Sequence, residues 1–143
     1  MWTNPGTWPR ASRSSDPPVM NIVGIGVDLV DVQRVQSMLQ RHPTFAERVF
    51  TAEEIAYCGR QASPAESYAA RWAAREACRK SLGGIRLMRW HDVWVERAPS
   101  GAPHLGLAGT SLSRARSMGV TRVMVALTHE RRMAAAFCIA VGD

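Results

Sequence analysis

Apolar and polar positions divide the chain into a patternless start, a helical middle and a strand-rich end. Residues 1–19 show no periodicity; Pro5, Pro9, Pro17 and Pro18, with serines and a glycine between them, predict a flexible tail. Trp2 and Trp8 stand out in it and read as loosely attached. The β-branched run Asn21 to Val27 predicts a short strand, and Met20 at its start is a candidate start of translation. Gly24 and Gly26 fall on one face of that strand, where another backbone or a ligand is expected to come close. Asp28 then sits just past the strand, as an N-cap for the next helix or as a metal ligand, with the cap favoured on position alone.

Leu29 to Gln40 predicts an amphipathic helix, with Val32, Val35 and Leu39 in one stripe and His42-Pro43 ending it. Phe45 to Phe50 reads as a helical turn. Thr51-x-x-Glu54 is a capping-box signature that starts a helix over Ala52 to Gly59. Ser63-Pro64-Ala65-Glu66 repeats the signature, with proline at the first helical position. It opens a long helix that runs through Tyr68 to Leu82 and stops at Gly83-Gly84. Strands are predicted at His91 to Glu96 and His104 to Leu107, across a turn at Pro99 to Ala102. A helix follows at Thr110 to Met118, then strands at Thr121 to Thr128 and Met133 to Val141. The fold class is α+β, an antiparallel sheet packed on a long helix, in one domain over residues 20–143.

Composition narrows the function. The chain has 143 residues, a formal charge of +6 and a pI of about 10.2, which points to an acidic or phosphorylated partner. Nucleic acid is the default partner for such a charge, but the arginines are scattered, with no run longer than Arg131-Arg132. Cys58, Cys78 and Cys138 are odd in number and fit no metal-knuckle spacing, so they read as reduced thiols of a cytoplasmic protein. No apolar run approaches the ~20 residues that cross a membrane. The first 20 residues lack the apolar core of a secretory signal.

Candidate chemistry concentrates in the long helix. Lys80 is the only lysine in the chain and lies one turn after Glu76, so the two share a helix face. Spacing alone makes this a solvated ion pair more often than a site. His129-Glu130 begins a zinc-protease motif that Met133 breaks, and neither a Gly-x-Ser-x-Gly elbow nor a phosphate-loop lysine motif occurs. Asp28 and Glu76 remain as a carboxylate pair suited to Mg²⁺, which takes one or two protein carboxylates and completes its shell with water and substrate phosphates.

In this order, Ile22-Val-Gly-Ile-Gly-Val-Asp-Leu-Val, Arg34, Arg71-Trp-Ala-Ala-Arg-Glu-Ala-Cys-Arg-Lys, Ser100-Gly-Ala-Pro-His-Leu and Leu127-Thr-His-Glu resemble the holo-acyl-carrier-protein synthases, the short 4′-phosphopantetheinyl transferases. The resemblance covers about residues 20–141. It implies transfer of 4′-phosphopantetheine from coenzyme A to a serine of an acidic apo acyl carrier protein of fatty-acid or polyketide biosynthesis. Adenosine 3′,5′-bisphosphate is the other product. By the same resemblance Asp28 and Glu76 bind Mg²⁺, and Glu76, Lys80 and His129 are catalytic. Asp28, Arg71, Lys80, Gly83 and His129 contact coenzyme A, and Arg34, Met38 and Arg41 on the helix over 29–41 contact the carrier. A homotrimer with active sites between subunits is implied too, the carboxylates coming from one chain and the helix at 29–41 from another.

Three departures mark this sequence. Arg75 replaces the lysine usual before the metal glutamate, which excludes acid–base work at 75. The glycine loop is short, Gly83-Gly84-Ile85-Arg86, and Thr128 stands where serine is common. The other functions the sequence leaves open are a non-catalytic carrier-binding relative and a basic nucleic-acid-binding module.

Overall fold

The computed structural model describes residues 19–143 apart from Ile85 and Leu87, so the expectations for the tail, Trp2 and Trp8 included, lie outside the described residues. Strand β1 (Asn21–Asp31) is followed by helices α1 (Val32–Arg41), α2 (Phe45–Val49), α3 (Ala52–Gly59) and α4 (Pro64–Ser81). After a single 3₁₀ turn at Trp90–Asp92 come β2 (Val93–Arg97), β3 (Pro103–Leu107), α5 (Gly109–Ser117), β4 (Arg122–His129) and β5 (Met133–Gly142). The class is α+β, as expected, but the strands divide into two antiparallel sheets, one ordered β1-β5-β4 and one formed by β2 and β3.

α4 lies across the three-stranded sheet, and small residues let it approach closely. A Cβ at Gly24 would overlap the carbonyl oxygen of Ser81, and one at Gly26 that of Ala77. The backbone expected against these glycines is therefore α4. Two strand residues rise about 6.6 Å and four helix residues about 6 Å, so strand and helix stay in step over this contact. Ala134, Ala136, Cys138 and Ala140 of β5 turn the same way and are buried. The opposite sheet face carries Ile25, Val27, Leu29, Met124 and Phe137, all exposed; Leu29 is 66% accessible.

Helix boundaries follow local chemistry with two corrections. The Thr51–Glu54 capping box forms as expected, each residue bonding the other's backbone N–H. Asp28 is not a cap. β1 continues through it to Asp31, whose carboxylate accepts from Arg34 N–H and starts α1 at Val32 rather than Leu29. Ser63 makes no capping bond either; Pro64 at the first helical position starts α4, and Glu66 points elsewhere. At the other end Gly83 and Gly84 take positive φ and donate to the Lys80 and Arg79 carbonyls, closing the helix.

Between α1–α3 and α4 lies an aromatic core in which Trp72 packs 5.7 Å from Phe45 and 4.5 Å from Trp90, ring centre to ring centre. Arg75 is fully buried beside it. Its guanidinium pairs with Glu54, which is equally buried, and Nε donates to the Trp90 carbonyl at 2.9 Å. Glu54 also accepts from Val95 N–H. Burial alone would push the Glu54 carboxyl up; the Arg75 hydrogen bonds and charge outweigh it and hold the group below its ordinary value. The three cysteines are free and buried, and desolvation lifts Cys58 to about 11, Cys78 to about 12 and Cys138 further up, which leaves them as unreactive thiols.

Candidate active site

Asp28 lies on the face of β1 that meets α4, two residues beyond Gly26, and this places its carboxylate at the C-terminal half of the helix. Lys80 leans back along α4, as helical side chains do, and its ammonium donates to Asp28 Oδ1 at 3.0 Å and to the Val27 carbonyl at 3.1 Å. The pair expected between Glu76 and Lys80 does not form. Glu76 instead accepts from Arg79 Nη2 at 2.9 Å, and Lys80 is committed to Asp28 across the helix–strand contact. Both carboxylates are mostly buried, with side chains 15% and 18% accessible, and both line one cavity of about 610 Å³.

The same cavity is walled by Arg34, Val35 and Met38 of α1 and by Phe45 and Trp72. α1 thus reaches the carboxylates within a single chain, where the sequence led to the expectation that this helix comes from another. Arg34 and Met38 line the cavity; Arg41, the last residue of α1, does not. Among the described residues no three side chains of metal-ligating type gather anywhere. Two carboxylates opening on one cavity nevertheless fit an ion such as Mg²⁺, whose remaining positions go to water and phosphate. The cations around them, Arg34, Arg79 and Lys80, fit an anionic ligand.

His129 and Arg71 form a second cluster. His129 ends β4, separated from β1 by β5, and its Nδ1 lies 2.9 Å from Glu66 Oε2 in the first turn of α4. Ten residues of helix separate Glu66 from Glu76, roughly 15 Å along the axis. Arg71 is 2% accessible, with Nη1 donating to the Ser67 carbonyl and the guanidinium 4.2 Å from the centre of the Tyr57 ring. Arg97 packs on the same ring at 5.1 Å. These residues enclose a cavity of about 280 Å³. Within one chain, then, the predicted residues fall into two groups: Asp28, Glu76, Lys80, Arg34 and Met38 in one, and Arg71 and His129 in the other.

Gly83 joins neither group. A Cβ there would crowd Arg114, which itself donates to the Leu82 carbonyl, so the glycine closes the helix and admits that side chain. Arg75 faces the core, so the substitution at 75 changes an internal ion pair and not the site. Sequence reasoning missed Glu66, Arg97 and Trp72. Glu66 was absorbed by a capping signature it satisfies on paper, Arg97 was one of many scattered arginines, and Trp72 carried no polar chemistry.

Comparison with known proteins shows the family of the chain. Residues 24–138 match the sequence model of the 4′-phosphopantetheinyl transferase superfamily. A holo-[acyl-carrier-protein] synthase of Beutenbergia cavernae is 44% identical over 119 residues, covering 83% of this chain and 97% of the relative. A holo-ACP-synthase structure from Plasmodium yoelii superimposes with a TM-score of 0.77 at 27% identity, covering 87% of this chain and 98% of that one. A Bacillus anthracis holo-(acyl-carrier-protein) synthase in complex with coenzyme A (3′,5′-ADP) gives 0.71 at 26% identity, covering 87% and 100%.

Proposed function

We propose a function on one established premise: the chain belongs to the 4′-phosphopantetheinyl transferase superfamily. It is a transferase of the holo-acyl-carrier-protein synthase kind, moving 4′-phosphopantetheine from coenzyme A to a serine of an apo acyl carrier protein. The observation that carries this reading is that Asp28, bonded to Lys80, lines one cavity together with Glu76 and Arg34.

Transfer at phosphorus is chiefly positioning and charge neutralisation. The carrier's serine is the nucleophile, so the chain needs none of its own, in keeping with its three inert thiols. Asp28 and Glu76 would hold Mg²⁺, which when bound neutralises phosphate charge and fixes the pyrophosphate. Lys80, already 3.0 Å from Asp28, stands to offset charge on the departing phosphate, leaving as adenosine 3′,5′-bisphosphate. Arg34 and Met38 on α1 offer the carrier a cation and an apolar contact beside the carboxylates, and the basic charge of the whole chain favours an acidic partner. Arg71 and His129 belong to the second cluster, which would contact coenzyme A.

The assembly proposed is a homotrimer with sites between subunits. Two features support it: the exposed apolar face of the three-stranded sheet, and the division of the site residues into two clusters that a neighbouring copy would bring together. The free, buried cysteines suit the reducing cytoplasm, and among the described residues no helix is long and apolar enough to cross a membrane. The test is mass spectrometry of a panel of apo carriers incubated with the protein, coenzyme A and Mg²⁺. A gain of one phosphopantetheine on at least one carrier, abolished by a chelator, is expected; no gain on any carrier with folded protein contradicts the proposal.

A further inference from the structure

Glu66 has no part in starting α4, although its sequence position invites that role; Ser63 makes no capping bond and proline begins the helix. Its carboxylate instead spans from the helix to the end of β4 and meets His129 Nδ1 at 2.9 Å. The side chain is 18% accessible, whereas that of His129 is 43% accessible, so the imidazole is anchored on one side and open on the other. A carboxylate at Nδ1 accepts, which puts a proton on Nδ1 and leaves Nε2 unbonded to Glu66 on a residue that lines the cavity.

Two further residues lining that cavity, Arg71 and Arg97, are cations. Arg71 and Arg97 both pack on the Tyr57 ring, and Arg71 Nε is buried with no hydrogen-bond partner among the described residues. Among the described residues Glu66 is the one carboxylate lining it. The cluster therefore suits an anion, with His129 as the adjustable member.

We infer that Glu66 is a positioning residue for His129: it fixes the Nδ1–H tautomer and the ring orientation, and so sets how His129 meets a phosphate oxygen of coenzyme A. The inference rests on the transferase reading for the identity of the anion. Glu66 touches no substrate and acts only through the ring.

Two measurements that need no turnover test it. Imidazole ¹⁵N shifts, assigned with His129→Ala, report the tautomer. Calorimetry reports coenzyme A affinity in the parent, Glu66→Ala, His129→Ala and the double variant. The parent is expected to show Nδ1–H at His129. Glu66→Ala should lose that tautomer and bind coenzyme A about 10-fold more weakly, as when a ligating histidine loses its orienting carboxylate. The double variant should bind no more weakly than His129→Ala, because the two residues act as one unit. An Nε2–H tautomer in the parent overturns the inference, as does parental affinity in Glu66→Ala or losses that add in the double variant. If Glu66→Ala does not fold, the parent tautomer alone decides. Coenzyme A binding without transfer would sink the transferase reading and leave this one intact.

Discussion

Lys80 and Arg75 show how position decides the work of a cation. Lys80 is bonded to Asp28 and to a carbonyl of β1, with its side chain half in solvent, and is proposed to meet phosphate. Removing a charge that meets the transition state costs on the order of 10²–10³ in rate. Lys80→Met should therefore lower kcat by about 100-fold in a steady-state transfer assay and leave the melting temperature close to the parent's. Arg75, five residues earlier, is sealed in the core with Glu54, and its loss should be felt in folding. Breaking such a buried pair costs ~3–5 kcal/mol, so Glu54→Ala should show that loss in urea unfolding.

The sign of the pH dependence follows from the lowered Glu54 pKa. Its contribution is complete above the ordinary value of 4.5 and fades as pH falls through the lower folded value. The stability gap between the parent and Glu54→Gln should accordingly narrow between about pH 6 and acid pH. A gap that widened toward acid would contradict the ionised pair.

At the scale of elements, the contact between β1 and α4 sets the distance from Asp28 to Glu76. Gly26→Ala would drive a methyl into the Ala77 carbonyl and push the helix outward. Overpacking of this kind costs ~1–3 kcal/mol. It should also raise the Mg²⁺ requirement of transfer, which a metal titration of the variant reads directly. This contact was legible in the sequence because two glycines on one strand face leave a bare track that a close backbone fills. The capping box at Thr51 was legible because its chemistry is local, carried by two residues three apart. Asp28 and Asp31 were harder to tell apart. The sequence reading weighed a cap only at Asp28, and the pairing of β1 with β5 as far as Asp31–Met133 shows that Asp28 lies within the strand. The Lys80–Asp28 and Glu66–His129 pairs join residues distant in sequence, so no spacing could reveal them.

For the whole molecule, the salient feature is a sheet with one face on α4 and the other uncovered among the described residues. Val27 and Phe137 sit opposite one another on that face, and both are more than 40% accessible. A patch of this kind marks an interaction surface. If the proposed homotrimer forms, Phe137→Glu should convert it to monomers in light scattering and lower transfer with it, since that proposal needs two copies to bring the clusters together. A parent that is monomeric at working concentration yet fully active would remove the need for sites between subunits.

The central claim is that Asp28 and Glu76 form the metal site of a phosphopantetheinyl transfer. The most direct measurement is the mass of an apo acyl carrier protein after incubation with coenzyme A, saturating Mg²⁺ and either the parent, Asp28→Asn or Glu76→Gln, each checked for folding. The parent is predicted to add one phosphopantetheine while both variants add none; near-parental addition by either variant would contradict the claim.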